Sequence, residues 1–278
     1  MSSRKKYIAT CVLLCYNQKD NVINLANKLS SSWKGSMQIM IIDDASEFPV
    51  TSLDINNLPD CIVFNSSINH GPGFQRNFAI SRAISKYIIF FDGDDFILPN
   101  SVHSLSEQLH RLMGDPDLII FTNAGDNAVR MLNRLPSFAL SMLRILQLVD
   151  KVSFANKAFR VQWLQFNRIK YSNRRLYEDV LFHYLISISK PKTYFLKKTF
   201  YQVFIDPSSR SRRRISLSNL WKNSLDVLSE LYSVETSSPA TRLFSFLYAF
   251  RILLSTLNSC VVLLCKSILS QSCVHKIR

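Results

Sequence analysis

An α/β fold with a mostly parallel central sheet is predicted by three features of the sequence. Short, nearly continuous apolar runs alternate with segments of helical period. The runs are too short to stand as globular helices, and polar or acidic residues collect directly after them. In an open α/β sheet those carboxyl ends share one edge, and that edge is where ligands bind.

The elements follow in order. Residues 7–15 (YIATCVLLC) read as the first strand, ending in Tyr16-Asn17. Residues 20–31 place Val22, Ile23, Leu25, Ala26 and Leu29 in a helical rhythm, and 37–43 (MQIMIID) form a second strand ending in Asp43-Asp44. A third strand at 61–64 (CIVF) precedes a helix at 74–85. A fourth strand, 87–91 (YIIFF), stops at Asp92-Gly93-Asp94-Asp95. Helix 101–113 and strand 117–122 (DLIIFT) complete this half, and further helices are expected at 178–188 and 216–234. Three polar clusters at successive strand ends are harder to dismiss than any one of them.

Composition bounds the function. The 278 residues can bury a large core without disulfides, and 47% hydrophobic with 19% charged residues excludes a disordered charged chain. The net charge of +14 is uneven: residues 1–125 hold 10 basic and 12 acidic side chains, the remainder 24 and 8. A uniform nucleic-acid coat would not leave the first half slightly acidic. The split suits a binding or catalytic half joined to one facing phosphate, anionic lipid or an acidic saccharide, with plain surface solubility also open. Cysteines 11, 15, 61, 260, 265 and 273 form no zinc pattern and sit among apolar neighbours, so reduced thiols in a cytosolic compartment are expected. The charged start, MSSRKK, leads into an apolar run without a small-residue cleavage site and reads as a strand rather than a signal peptide.

Two loops carry the candidate chemistry. Asn69-His-Gly-Pro-Gly73 allows tight backbone geometry near a ligand, or a plain structural turn. It is neither a dinucleotide fingerprint nor a Walker loop, although Arg76 and Asn77 just beyond it could meet phosphate or base. The three carboxylates of Asp92, Asp94 and Asp95 repel one another unless solvated or shared by a hard divalent cation, which takes carboxylate and phosphate oxygens together.

With Tyr16-Asn17, Asp43-Asp44-Ala45-Ser46, Asn69-x-Gly71-x-Gly73-x-x-Arg76-Asn77, Ala83, Tyr87 and Asp92-Gly93-Asp94-Asp95 in this order, the chain resembles the family 2 glycosyltransferases. Asn156-Lys157-Ala-Phe-Arg160 is similar to that family's NKLxR element, and Tyr177-Glu178-Asp179-Val180-Leu181-Phe182 to its YEDxxF element. Order and spacing match over roughly residues 7–205. The resemblance implies a GT-A nucleotide-diphospho-sugar transferase fold, with a catalytic domain at 1–215 and a basic helical C-terminal extension at 216–278. Within the catalytic domain it implies a nucleotide-sugar half at 7–122 and an acceptor half at 123–215.

The resemblance further implies that Asp44 meets uracil or another base, with Asp43 supporting its loop, and that Tyr16 and Arg76 line the nucleotide pocket. It makes Asp92 the ribose-side member of DxD and a metal contact, Asp94 the metal ligand, and Asp95 a support of the turn. Asp179 is then the first candidate for catalytic base and Glu178 the second. The implied cofactor is Mn²⁺ or Mg²⁺, with a UDP-sugar favoured as donor and a saccharide or lipid-linked glycan as acceptor. A single base with in-line attack opposite the diphosphate predicts inversion at the anomeric carbon. For Glu178-Asp179 the plain alternative is an acidic pair favouring a helix N-terminus.

The chain departs from the family pattern at Leu14, where proline is common, at DDAS in place of DDGS, and before Tyr87, where a glycine is missing. After Tyr201 it reads YQVFIDPSSRSRRR, and Arg210 and Arg212 to Arg214 there suit a diphosphate, an acidic acceptor or a solvated loop.

From residue 241 onward, Leu243, Phe246, Leu247, Phe250, Leu254, Leu257, Val261, Leu264 and Ile268 fall on one helical stripe. A membrane-surface helix, packing within the protein or between copies, and a bilayer span all remain open. The basic excess favours an anionic cytoplasmic leaflet, and the resemblance implies an enzyme of the cytoplasm, peripheral on the inner face of a bacterial cytoplasmic membrane, in surface-glycan synthesis. The competing functions are sugar-nucleotide synthesis by a nucleotidyltransferase and a non-catalytic basic RNA- or membrane-binding protein. RNA binding is disfavoured because the aromatics mostly occupy apolar runs, which suits packing rather than exposed stacking.

Overall fold

Residues 7–33, 36–58, 60–92, 96–97, 101–112, 114–122, 126–145, 156–175, 177–197, 201–202, 217–234, 248–250 and 252–253 are described by a computed structural model. The chain runs β1 (Ala9–Cys15), α1 (Lys19–Trp33), β2 (Met37–Asp43), β3 (Cys61–Asn65), α2 (Pro72–Arg82), β4 (Tyr87–Asp92), β5 (Phe96–Ile97) and α3 (Ser101–Arg111). It continues with β6 (Leu118–Thr122), α4 (Asp126–Arg134), α5 (Ser137–Ile145), β7 (Lys157–Arg160), α6 (Val161–Phe166) and α7 (Glu178–Ile188). The last elements are β8 (Thr193–Lys197), β9 (Tyr201–Gln202) and α8 (Leu217–Tyr232).

Among the described residues seven strands form one sheet in the order β3-β2-β1-β4-β7-β6-β8, and β5 pairs with β9 apart from it. Four of the six neighbouring pairs are parallel; β7 runs against both β4 and β6, so the sheet is mixed at one place. The strand's two-residue period decides which core each side chain enters. Ala9, Cys11, Leu13 and Cys15 of β1 join Leu25 and Leu29 of α1 and Leu105 and Leu109 of α3 on one face. Val12 points the other way, to Ala79 and Ile80 of α2, Trp163 of α6 and Phe182 of α7. Helices therefore cover both faces, which is why the strands read as continuous apolar runs rather than alternating ones.

The early strands and helices fall close to their predicted positions. The short elements β5, β7, β8, β9, α4, α5 and α6 were not anticipated. Strand β7 coincides with the Asn156–Arg160 motif, and its register sets Arg160 opposite Tyr87 at the start of β4. Arg160 pairs there with Asp117, far from the ligand edge, while the buried Lys157 lies at the other end of the strand.

Helix α8 packs on α7 through Val227 and Leu231 against Leu181 and Tyr184, and Tyr248, beyond α8, joins the same cluster. Arg174 adds a polar tie, with Nε donating to Glu230 at 2.9 Å and Nη2 to the Asp226 carbonyl at 2.7 Å. Among the described residues no helix is long and apolar enough to cross a membrane. Most of the apolar stripe beyond 241 lies outside the described residues, as do Cys260, Cys265 and Cys273. Cys11 and Cys15 are buried free thiols, and burial, chiefly, pushes the Cys15 thiol up to about 11, which disfavours the reactive thiolate.

Candidate functional site

The carboxyl ends of β1, β2, β3 and β4 lie on one edge because these strands run parallel. That brings Tyr16, Asp43, Asp44 and Asp92 to a common rim, with Tyr16 41% exposed. Two left-handed residues shape it: Asn17 at φ 55° and Ala45 at φ 62°. Asn17 ties the two turns together, its amide donating to Ser46 Oγ at 2.8 Å and its side-chain oxygen accepting from the Glu47 amide at 2.9 Å. Ala45 occupies the place where the resembling family has glycine, so the altered motif keeps a backbone conformation that costs an L-residue about 1 kcal/mol.

Asp43 and Asp44 are both buried, and both are engaged by nearby donors. Asp43 accepts from the Ser46 amide at 2.8 Å and the Val50 amide at 3.2 Å, closing the turn after β2. Asp44 Oδ1 accepts from the His70 amide at 2.8 Å and from Gln75 Nε2 at 2.6 Å. Its Oδ2 accepts from the Gly71 amide at 2.8 Å. The Asn69–Gly73 turn is thus held by Asp44, with Gly71 at φ 88°. Gln75 carried no signal in the sequence that would have marked it.

The other glycine of that turn works differently. A Cβ on Gly73 would stand 2.0 Å from the Ser172 carbonyl oxygen and 3.1 Å from Glu178 Cβ. Its missing side chain makes room for the Ser172 backbone and Glu178. Asn77 fixes the same approach: Nδ2 donates to the Tyr171 carbonyl at 2.9 Å, and Oδ1 accepts from the Tyr171 amide at 2.8 Å. Both ends of its amide bond protein backbone, so Asn77 fixes the position of residue 171.

Arg76 lies between the halves with its side chain 3% exposed. Nη2 donates to Asp92 Oδ1 at 3.0 Å and Nη1 to Glu178 Oε1 at 2.9 Å. Its guanidinium carbon stands 5.2 Å from the ring centre of Tyr171, which itself stacks on Phe182 at 3.9 Å. Burial opposes the charge, but Asp92, Tyr171 and Glu178 outweigh it and hold Arg76 firmly protonated. Tyr171, the platform of this arrangement, was missed in the sequence because an aromatic in a basic stretch has many plain explanations.

Tyr177, just before helix α7, lies in the left-handed region at φ 59°, a costly place for a bulky side chain, and Glu178 and Asp179 follow in the first turn of the helix. Burial, then the neighbouring Glu178 charge, pushes the Asp179 carboxyl up to about 6, with Arg76 pulling against them. A carboxylate so poised can take a proton near neutral pH. Beside Tyr171 a cavity of about 380 Å³ is lined by Asn77, Lys170, Ser172, Asn173, Arg174 and Glu230, a mixture of amides and both charge signs that suits saccharide hydroxyls.

Asp94 and Asp95 lie outside the described residues, as does Arg210 with Arg212 to Arg214. Among the described residues no three His, Cys, Asp or Glu side chains group as a metal site. Asp92 is a hard oxygen donor at the rim, 43% exposed, of the kind a divalent cation would take.

Fold and site together define a sugar-transferring enzyme of the GT-A type. The profile of the family "Glycosyl transferase family 2" matches residues 10–176, and the chain belongs to that family. It is a glycosyltransferase, which removes the nucleotidyltransferase and non-catalytic alternatives. No curated protein matches the chain by sequence. Among solved structures, S. aureus TarS 1-349 in complex with UDP-GlcNAc is 16% identical, covering 86% of this chain and 71% of its own, at TM-score 0.64. The mannosyltransferase PcManGT of Pyrobaculum calidifontis, with GDP-Man and Mn²⁺, is 11% identical, covering 99% and 82%, at TM-score 0.55. Glucosyl-3-phosphoglycerate synthase of Mycobacterium tuberculosis, with Mn²⁺ and UDP, is 16% identical, covering 90% and 80%, at TM-score 0.51. These likenesses show the fold.

Proposed function

We propose that this glycosyltransferase moves a sugar from a nucleotide-diphosphate donor, a UDP-sugar by preference, to a hydroxyl of a saccharide or lipid-linked glycan, inverting the anomeric carbon. The observation that carries this reading is Asp179, a desolvated carboxyl raised to about 6 and linked through Glu178 and Arg76 to Asp92 at the ligand edge. Support for the donor class comes from the relatives solved with UDP-GlcNAc, with GDP-Man and Mn²⁺, and with UDP and Mn²⁺.

In this account the donor lies along the carboxyl edge, with Tyr16 and the Asp44-held turn beside the base and Asp92 toward the ribose. A divalent cation, Mn²⁺ or Mg²⁺, held by Asp92 and Asp94 would offset the charge on the departing diphosphate. Asp179 Oδ takes the acceptor hydroxyl proton as that oxygen bonds to the anomeric carbon and the carbon–diphosphate bond breaks on the opposite side. The acceptor's next sugar is assigned to the cavity beside Tyr171. Residues 7–122 then serve the donor and 123–215 the acceptor. The extension at 216–278 holds the enzyme on the anionic inner face of the membrane, where lipid-linked acceptors are found.

The deciding experiment is a calorimetric screen of nucleotide sugars with and without Mn²⁺ or Mg²⁺. Metal-assisted binding of one class that is weakened in Asp94→Asn upholds the reading; no binding by any of them overturns it. Sedimentation with anionic vesicles tests the membrane assignment: intact protein and a chain lacking 241–278 should differ, and equal sedimentation removes it.

A further inference from the structure

We propose that Arg76 is a positioning residue, tying occupancy of the donor edge to the order of the turn that carries Asp179 through its shared ion pairs with Asp92 and Glu178. The inference rests on the reading that a nucleotide diphosphate binds at that edge.

Arg76 faces the carboxylates of Asp92 from β4 and of Glu178 and Asp179 from α7, and the Tyr171 ring from the segment between α6 and α7. A guanidinium this deeply buried keeps its place only while its charge is matched, and removing one partner leaves the other exposed to that cost. Its two terminal nitrogens serve two carboxylates, one from each half of the molecule. The carboxylates are unequal. Asp92 is 43% exposed and open to a ligand, whereas Glu178 is 16% exposed and faces inward.

The guanidinium is a rigid planar fork, so a shift at one nitrogen is carried to the other. Motion out of that plane is limited by Tyr171 beneath it, whose ring is stacked on Phe182 and whose backbone is gripped by Asn77. Glu178 in turn passes the constraint to its own backbone, where its carbonyl accepts from the Ser172 amide at 3.0 Å. Asp179 is the next residue. A ligand that recruits Asp92 therefore resets the fork, and the fork resets the turn from 171 to 179. A lysine could satisfy the charge but would reach only one carboxylate well.

The test is hydrogen–deuterium exchange over residues 171–182 of the full chain, with UDP and Mn²⁺ as the probe. In the wild-type protein UDP–Mn²⁺ should slow exchange there by about fivefold or more. Glu178→Ala should bind the probe within about threefold of wild type yet lose that protection, Arg76→Lys should also lose it, and Glu178→Gln should keep part. Protection that survives in Glu178→Ala, or wild-type protein that binds UDP without protecting 171–182, overturns the inference. If neither UDP nor GDP binds the wild-type chain, the donor reading fails, and the ligand-free proteins decide the linkage. The Arg76→Lys/Glu178→Ala double variant should then exchange no faster than the faster single variant, and additive effects reject the linkage.

Discussion

Asp44 is buried and Asp179 half-buried, both near the ligand edge, yet their surroundings make them different groups. Asp44 is met by two backbone amides and the Gln75 side chain, and it organises a turn. Asp179 is taken out of water beside Glu178, and its carboxyl rises to about 6. Filling a buried carboxylate with donors turns it into architecture; desolvating it beside a like charge raises its proton affinity toward neutral pH.

The sharpest way to break this contrast is Asp179→Asn. Transfer should fall by about 10²–10⁴-fold with donor affinity kept, measured in a single turnover. In the wild type, the transfer rate should fall about tenfold per pH unit below about 6 and level off above it. Stability moves the opposite way. Because the folded carboxyl lies at about 6 against a usual 3.8, its stabilising contribution is complete only below pH 4 and is lost as pH rises through 6. Asp179→Asn should therefore be more stable than wild type at pH 8, by about 2–3 kcal/mol, and near equal at pH 4. Denaturant unfolding at the two pH values checks this, and a variant destabilised at pH 8 would abolish the contrast.

Next in size is Gly73→Ala, where the new methyl meets backbone rather than a yielding side chain. A loss of about 3 kcal/mol in urea unfolding is expected, and an unchanged midpoint would mean the halves can part there freely. Asp44→Asn replaces an acceptor with a donor facing amides, at about 1–3 kcal/mol. A loss as large as this at Asp44 with a gain at Asp179 is the contrast in its quantitative form. The smallest effect is Arg174→Ala, whose ties to Asp226 and Glu230 are partly solvated, at about 1 kcal/mol or less by thermal melting.

The long apolar strands and the carboxyl-edge clusters were legible because burial on both faces writes itself into Val, Ile, Leu and Phe runs. Strand β7 was hidden: four residues containing Lys157 and Arg160 carry no apolar run, and their antiparallel register depends on Tyr87 and Ile88 far away in the chain. The roles of Asp43, Asp44, Asp92 and Asp179 as polar strand-end or helix-end groups could be read in advance, but their partners could not. Asn77 and Arg76 look alike as polar residues opening a helix. Only the approach of residues 171–178 makes one a backbone clamp and the other a shared cation.

The insertion of β7 between β4 and β6 has a consequence for how the chain must be assembled. When synthesis has reached Thr122, β1 to β4 can already pair, but β4 has an open edge and β6 has no neighbour in the sheet. Both wait for residues 157–160, and β8 waits for β6. A nascent or truncated chain ending near 122 therefore displays a long apolar edge to other chains, the usual template for aggregation. Residues 7–122 are therefore not a unit of folding, because their sheet is closed only by strands that come later in the chain.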